Sequence, residues 1–240
     1  MEFPKRFANL PVATWPRLRG LLDAVQPGGD PINMTIGDPQ HPMPSFLADA
    51  MAQQIAGFGG YPSNDGSPAL LNAIARWLHR RYGVTVGPAE IMALNGTREG
   101  LYNAAMALCP ETKNGQVPVI LTPNPFYQVY AVAALSVGAE PVYVNATPRT
   151  GHLPDYAALD AEILDRTALA YICSPANRQG AVASREYWTT LLDLAERHDF
   201  RILADECYSE IFREAAGRPS SRGRAPWRRC RAPRGCRSAP

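Results

Sequence analysis

From residue 91 to residue 212 the chain alternates between short apolar runs and longer amphipathic segments. The runs "VILTPN" and "TALAYIC" are apolar almost throughout, which is typical of strands buried on both faces of a sheet. The segments between such runs have apolar residues three to four positions apart, as in "REYWTTLLDLAER", and this spacing predicts helices. The alternation therefore predicts an α/β fold in which helices cover both faces of a parallel or mixed sheet.

The same patterns set the expected bounds of the elements. Strands are expected over 90–96, 118–125, 139–146, 167–175 and 200–208, and helices over 97–109, 126–138, 156–164 and 184–199. Nearer the N-terminus, helices are expected over 17–25, over 44–58 and through Leu70, Leu71, Ile74, Trp77 and Leu78, with a short extended run over 31–44. The basic face of the third helix, formed by Arg76, Arg80 and Arg81, is interpreted as a solvated surface.

Polar and turn-forming residues follow the predicted strands, where ligands bind in open α/β sheets. They are Asn95-Gly96-Thr97, Pro123-Asn124-Pro125, Ser174-Pro175-Ala176-Asn177 and Asp205-Glu206. Gly96 and Thr97 lie between a strand and a helix, where free backbone N–H groups favour a phosphate, although a plain turn with Thr97 as N-cap is the commoner use of such residues.

Asp205 ends an apolar strand, so its carboxylate needs a partner if it stays ionised. The residue types leave three interpretations open: a ligand for a cation, a partner for a protonated heterocycle, or a cap on the following segment. Tyr208 follows three residues later, so in a turn its hydroxyl either faces the same ligand or simply packs.

Charge and cysteine content narrow the class of protein. Nine arginines and one acid lie in 213–240, whereas residues 1–212 have a net charge of −6, so the folded part has no nucleic-acid footprint. Cys109, Cys173 and Cys207 are widely spaced and form no CxxC pair, which predicts a reducing cytoplasm and no metal site. No run of 18 apolar residues occurs, so no membrane span is expected.

Read in order, six motifs resemble the large domain of fold-type I pyridoxal-phosphate enzymes, the aspartate aminotransferase superfamily. The motifs are "TIGDPQHP", "YPSNDGSPALLNAIARW", "NGTREGL", "PNPFYQVY", "SPANRQG" and "ADECYSE", and they span roughly residues 30–212. The resemblance implies a three-layer α/β/α domain with a mixed, mainly parallel sheet and part of a small domain at the N-terminus. It divides the chain into 1–32 (arm and partial small domain), 33–212 (cofactor-binding domain) and 213–240 (disordered tail).

The resemblance also implies roles for single residues around pyridoxal phosphate. Asp205 would pair with the pyridine nitrogen, Tyr208 and Asn177 would bind the phenolic oxygen, and Tyr127 would stack on the ring. Gly96, Thr97 and Arg98 would hold the phosphate, and Tyr61 would reach the phosphate in the neighbouring subunit of a homodimer. Gly37 would lie near the substrate carboxylate, where a residue without Cβ permits close backbone approach.

Two departures from the family pattern matter. "SPANRQG" keeps Asn177 but has Arg178 and Gln179 where the family has Pro-Thr. The lysine that binds the cofactor as a Schiff base is absent: the sequence contains only Lys5 and Lys113, both interpreted as solvated charges. The chain is therefore expected to be truncated and inactive, by loss of the reading frame soon after Phe212. An evolved basic tail that binds anionic partners is the alternative.

The function implied by the resemblance is transfer of an amino group between an amino acid, expected to be glutamate, and a keto acid. "NPFYQVY" and "DECYSEI" look most like succinyldiaminopimelate aminotransferases of lysine biosynthesis, which implies N-succinyl-2-amino-6-ketopimelate as the keto acid. The rival functions are another aminotransferase or a carbon–sulfur lyase on the same fold, and a non-enzymatic module whose basic tail contacts nucleic acid.

Overall fold

The computed structural model describes residues 4–8, 10, 14–30, 32, 37 and 41–211. The predicted extended run over 31–44 falls largely outside these residues, and the predicted tail over 213–240 falls wholly outside them. Contacts divide the chain into two compact units, Pro11–Ser67 and the remainder, Met1–Leu10 with Pro68–Pro240. The predicted domain boundaries after residues 32 and 212 stay predictions.

The smaller unit, Pro11–Ser67, is helical where it is described. It contains α1 (Thr14–Leu22) and α2 (Ser45–Gln53), followed by a 3-10 turn over Ile55–Gly59. The helix predicted over 44–58 is thus two elements, because Gln54 leaves the helical conformation with φ −107° and ψ 10°. None of the helices in the described part of the chain combines the length and apolarity needed to cross a bilayer.

The larger unit contains a sheet of four described strands, all parallel, in the order β2-β1-β3-β4. The strands are β1 (Val119–Asn124), β2 (Glu140–Asn145), β3 (Thr167–Cys173) and β4 (Arg201–Asp205). The helices are α3 (Pro68–Tyr82), α4 (Thr97–Leu108), α5 (Gln128–Ser136), α6 (Ala161–Arg166) and α7 (Arg185–Arg197). These bounds confirm the predicted alternation of strand and helix from residue 97 onward.

Helices cover both faces of this sheet. Ile120, Leu169 and Tyr171 pack with residues of α4 and α5 in one apolar cluster. Their neighbours Leu121, Ala170 and Ile172 point to the opposite face, since side chains alternate along a strand, and pack with residues of α6 and α7 in a second cluster. All seven residues of β3 are buried, which is why its sequence is apolar apart from Thr167. The three-layer α/β/α arrangement is confirmed.

Two predicted elements of the larger unit differ from the structure. The strand expected over 90–96 is wrong: residues 91–94 form no strand in the described part of the chain, because no described strand lies beside them to complete a ladder. The helix expected over 156–164 is split into a 3-10 turn over Tyr156–Ala158 and α6. Tyr156 is buried and its hydroxyl donates to the Tyr171 carbonyl at 2.5 Å, a tertiary bond that apolar spacing does not reveal.

Helix α7 begins at a side-chain cap that can be tested. The Ser184 hydroxyl oxygen accepts a hydrogen bond from the Tyr187 backbone N–H at 3.1 Å. Because this bond satisfies a donor that the helix itself leaves unpaired, we expect Ser184→Ala to lower the free energy of unfolding by about 1 kcal/mol. Thr189→Ala on the exposed face of the same helix is the matched control and should change it by less than about 0.5 kcal/mol. Urea denaturation measures both, and equal effects would contradict the capping role.

Candidate functional site

The strand order opens a crevice at the carboxyl edge of the sheet, between β1 and β3. The chain leaves β1 through α5 toward β2, and it leaves β2 through α6 toward β3 on the other side of β1. Strands whose connections run in opposite directions leave space beyond their carboxyl ends, and ligands bind in that space. A shallow recess with an enclosed volume of about 10 Å³ lies there; its lining residues are Pro123, Pro125, Phe126, Tyr127, Tyr130, Ala146, His152, Pro154, Cys173, Ala176, Asn177 and Gln179.

Asp205 lies behind one wall of this recess, at the end of β4, and only 7% of it is exposed. Its Oδ2 accepts a hydrogen bond from the Tyr130 hydroxyl at 2.7 Å, and its Oδ1 accepts one from the Cys207 backbone N–H at 3.2 Å. Burial, followed by this bond to Asp205, raises the pKa of Tyr130 far above its usual range, so the phenol stays protonated and donates. The Cys207 thiol also bonds to this carboxylate, so about one of its four lone pairs remains for a further donor or a cation.

Tyr127 is held from two sides at the mouth of the recess. The Arg98 Nε donates to its hydroxyl at 2.5 Å, and the Arg98 guanidinium lies 5.6 Å from the ring centroid. On the other side the Tyr127 ring meets the Tyr130 ring edge-on, with centroids 5.9 Å apart. The Arg98 contact joins the start of α4 to the segment after β1, so the structure brings together Arg98 and Tyr127, which the sequence predicted separately.

The start of α4 presents exposed backbone to solvent. Gly96 is the N-cap, with φ +146°, a conformation that side-chain-bearing residues rarely adopt. Thr97 is the first helical residue, so the alternative of Thr97 as a side-chain N-cap is wrong. The first N–H groups of a helix have no partner within it, and together with the helix dipole they favour an anion.

Asn177 and Tyr208 complete the carboxyl edge. Asn177 lines the recess, and its backbone N–H contacts the Cys173 sulfur. Partial burial raises the pKa of Tyr208. The segment after β3 is closed by its own bonds, from the Ala176 N–H to the Ala181 carbonyl at 2.8 Å and from the Ala183 N–H to the Ser174 hydroxyl at 3.0 Å. These bonds keep the Asn177 turn in place despite its departure from the family sequence.

Gln179, in the same turn, has a buried side-chain oxygen. This Oε1 has no hydrogen-bond partner in the described part of the chain, although the residue lines the recess. A buried acceptor without a partner costs about 1–3 kcal/mol. The recess therefore favours a ligand that offers a hydrogen-bond donor on this side.

Two thiols flank Asp205. Burial, and then the charge of Asp205, raises the pKa of Cys173. Partial burial, with the hydrogen bond to Asp205 and its charge, raises the pKa of Cys207 to about 12. Both side chains are therefore thiols at neutral pH, and neither is an activated nucleophile.

Two contributors to this site were not predicted from the sequence. Tyr130 lies in the first turn of α5, three residues after the N-cap Tyr127, and its ring contacts the Tyr127 ring. Arg81 donates to the Ser209 carbonyl at 3.0 Å and forms an ion pair with Glu210, so it fastens the turn after Asp205 to the end of α3. The interpretation of Arg81 as part of a solvated face is wrong, because these partners lie more than 120 residues away in sequence and no local pattern reveals them.

The Arg81 contacts can be tested against its neighbour. Arg81→Gln removes two charge-assisted contacts, one of them to the half-exposed Glu210, and should lower the free energy of unfolding by about 1 kcal/mol. Arg80→Gln on the exposed face of the same helix should change it by less than about 0.5 kcal/mol. Thermal denaturation of both variants measures the difference, and an Arg80→Gln effect as large as that of Arg81→Gln would contradict the fastening role.

Lys113 is not the solvated charge that the sequence suggested. Its ammonium donates to the backbone carbonyls of Thr167, His198 and Asp199 at 2.5, 2.6 and 2.8 Å. Thr167 begins β3, so Lys113 lies at the amino edge of the sheet. Six residue steps along β3, about 20 Å, separate Thr167 from Cys173 at the recess. The other lysine, Lys5, lies exposed in a 3-10 turn. Neither lysine is placed at the recess.

Two of the predicted site residues lie in the other compact unit. Tyr61 is fully exposed, and Gly37 is also exposed. Both are described within their own unit only, and their predicted roles stay predictions.

The sequence matches the family described as aminotransferase class I and II over residues 29–227, a range that reaches into the predicted tail. LL-diaminopimelate aminotransferase of Desulforudis audaxviator is 36% identical over 211 residues, which cover 86% of this chain and 53% of that relative. The protein of the same name from Moorella thermoacetica is 31% identical over 224 residues, covering 92% and 56%. The chain thus spans about half the length of these relatives. The crystal structure of an aminotransferase from Neisseria meningitidis Z2491 superposes with a TM-score of 0.81 at 33% identity, covering 88% of this chain and 54% of that one.

Proposed function

Because this chain belongs to the aminotransferase class I and II family, we propose that it forms the cofactor-holding half of an enzyme that transfers an amino group between an amino acid and a keto acid. Enzymes of this family use pyridoxal phosphate. The observation that best supports the proposal is the buried Asp205 carboxylate at the end of β4, beside a recess at the switch point of the sheet.

The residues around the recess fit the cofactor. A buried carboxylate suits a protonated ring nitrogen, because a paired charge offsets the cost of burial. The Tyr127 ring, held by Arg98 and Tyr130, offers a flat apolar surface for stacking. The exposed start of α4 offers backbone donors and a favourable dipole for a phosphate.

We assign the roles accordingly. When bound, the cofactor supplies an electron sink for the negative charge that develops at the substrate's Cα. Asp205 holds a proton on the ring nitrogen, and the Tyr130 hydroxyl orients that carboxylate through its 2.7 Å bond. Asn177 and Tyr208 donate to the phenolic oxygen of the ring. Gly96, Thr97 and Arg98 bind the phosphate. The hydrogen bond from Arg98 to the Tyr127 hydroxyl links this phosphate site to the ring that stacks on the cofactor.

The positions of the two lysines bear on whether this chain can bind the cofactor covalently. Its amine is engaged by three carbonyls at the amino edge of the sheet, and Lys5 lies exposed. We propose that the chain binds the cofactor without a covalent bond and does not transaminate by itself. In this proposal the proton transfers of the complete reaction need an amine that neither lysine provides.

The names of the relatives suggest the substrate. Those from Desulforudis audaxviator and Moorella thermoacetica are LL-diaminopimelate aminotransferases, so we propose LL-diaminopimelate as the amino acid, in place of the N-succinyl keto acid that the sequence motifs suggested. Glutamate as the other amino acid and the cytoplasm as the location remain part of the proposal. We also propose a homodimer in which the exposed Tyr61 reaches the neighbouring subunit's phosphate and Gly37 approaches the substrate carboxylate.

Two experiments test the proposal. Equilibrium dialysis of the chain should show binding of pyridoxal phosphate at least about tenfold tighter than pyridoxal, because only the former has the phosphate. Borohydride treatment followed by peptide mapping should leave Lys113 unmodified. Equal affinity for the two compounds, or an adduct on Lys113, would contradict the assignment.

A chimera tests the substrate. Residues 1–211 joined to the remaining half of the Desulforudis audaxviator relative should convert LL-diaminopimelate in the presence of 2-oxoglutarate, and the Asp205→Ala chimera serves as the control. A folded chimera that binds the cofactor but accepts only N-succinylated substrates would overturn the choice of LL-diaminopimelate.

A further inference from the structure

Three metal-binding atoms converge at the ends of β3 and β4. The Cys173 sulfur, an Asp205 carboxylate oxygen and the Cys207 sulfur all lie within 4.8 Å of one another. Sheet pairing produces this arrangement, because Cys173 is opposite Asp205 in the parallel register and Cys207 follows two residues later. The sequence alone predicted no metal site, since the two cysteines are far apart along the chain and have no CxxC spacing.

These atoms suit one kind of cation. Thiolates select soft metals, and Zn²⁺ accepts two sulfurs and one carboxylate oxygen in a tetrahedral shell. Two sulfurs bound to the same zinc ion lie about 3.8 Å apart, as follows from Zn–S bonds of about 2.3 Å. The observed limit of 4.8 Å is close enough for rotation of the exposed Cys207 side chain to complete the geometry. We propose that Cys173, Asp205 and Cys207 form a binding site for a thiophilic divalent cation, specifically Zn²⁺, with a fourth position open to water.

The surroundings of the three ligands support this proposal. The buried Tyr130 hydroxyl donates to Asp205 Oδ2, and such outer partners orient metal-bound carboxylates. Cys173 is 5% exposed and fixed in β3, whereas Cys207 is exposed and gives a cation access from solvent. As each sulfur binds the metal, its thiol proton passes to solvent, and no oxidation or reduction is involved.

Occupation by zinc has a consequence at the recess, and this step rests on the proposed function. Asp205 is both the proposed metal ligand and the proposed partner of the cofactor's ring nitrogen. A carboxylate bound to zinc does not pair with the ring, so the cation and pyridoxal phosphate exclude one another. Zinc should therefore act as a competitor of the cofactor at this site.

The experiment uses the full chain with Cys109, Cys230 and Cys236 replaced by serine, which leaves Cys173 and Cys207 as its only thiols. Cobalt(II), a spectroscopic substitute for zinc, is titrated anaerobically in the presence of a phosphine reductant. One equivalent should produce a sulfur-to-cobalt charge-transfer band, and one equivalent of Zn²⁺ should displace it. Adding Cys207→Ser to this background should abolish the band, and adding Tyr130→Phe should weaken the affinity about tenfold or more.

The outcomes separate the two proposals. Absence of the charge-transfer band, or an equally intense band in the Cys207→Ser variant, overturns the metal site whatever the cofactor does. Because Cys207 is exposed, its replacement is tolerated by the fold, and circular dichroism checks that. If the band forms but zinc does not reduce binding of pyridoxal phosphate, the cation site stands and the competition is wrong. If pyridoxal phosphate does not bind even without metal, the proposed function fails and the cation site stands.

Discussion

Replacing Lys113 by methionine is expected to lower the free energy of unfolding by about 2 kcal/mol. The ammonium of Lys113 joins three carbonyls that come from the start of β3 and the end of α7, and methionine fills similar space without a donor. Burial lowers the pKa of Lys113, so desolvation offsets part of the gain. The larger part of the loss comes from carbonyl groups left without a donor, each of which costs energy when it is shielded from water.

The only other lysine of the sequence provides the matched control. Lys5→Met removes the same charge from an exposed residue and should change the free energy of unfolding by less than about 0.5 kcal/mol. Guanidinium denaturation followed by circular dichroism measures both variants. A Lys113→Met protein as stable as the parent would show that the three hydrogen bonds make no net contribution to the free energy of unfolding. Lys113 would then be equivalent to a solvated surface charge.

Replacing Asp205 by asparagine is expected to weaken binding of pyridoxal phosphate about 30-fold. Asparagine keeps the shape and one oxygen acceptor for Tyr130, but it loses the negative charge that we propose pairs with the ring nitrogen. A hydrogen bond to a charged partner is worth about 2 kcal/mol, which corresponds to this change in the dissociation constant. Equilibrium dialysis at constant salt concentration measures it.

Asp193→Asn is the control for net charge. Asp193 lies exposed on α7, so its replacement removes one negative charge without touching the recess. The dissociation constant should stay within about twofold of the parent value. If Asp193→Asn and Asp205→Asn weaken binding equally, the cofactor responds to the overall charge of the protein, and the specific role of Asp205 is wrong.

The sheet was predictable because the residues of a strand indicate how deeply that strand is buried. β1 and β3 are buried on both faces, and their largely apolar sequences indicate this burial. The polar residues that follow these strands, and Asp205 at the end of β4, were also predictable, because the carboxyl ends of the strands lie at the edge of the sheet where ligands bind. These local signals recovered the segments that form the recess.

The contacts that fasten those segments were not predictable in the same way. Lys113 bonds to carbonyls that are 54 to 86 residues away, and Arg81 binds residues that follow β4. A lysine or an arginine in a polar stretch has the same local sequence whether it is solvated or bound to distant carbonyls. The strand predicted over 90–96 is wrong for a related reason. A strand needs a neighbouring strand to pair with, and its own sequence does not show whether one is present.

The position of Asp205 on β4 also fixes when the site is completed during synthesis. Each strand of this sheet pairs with a partner far away in sequence, and β4 is the last described strand along the chain. The start of α4, the Tyr127 ring and the Asn177 turn are all translated before the carboxylate is, and that carboxylate reaches its place only when β4 docks on β3. A nascent chain halted before residue 205 therefore has most of the walls of the recess but lacks the carboxylate that we propose pairs with the ring nitrogen. Under that proposal, the cofactor binds in full only after β4 has joined the sheet.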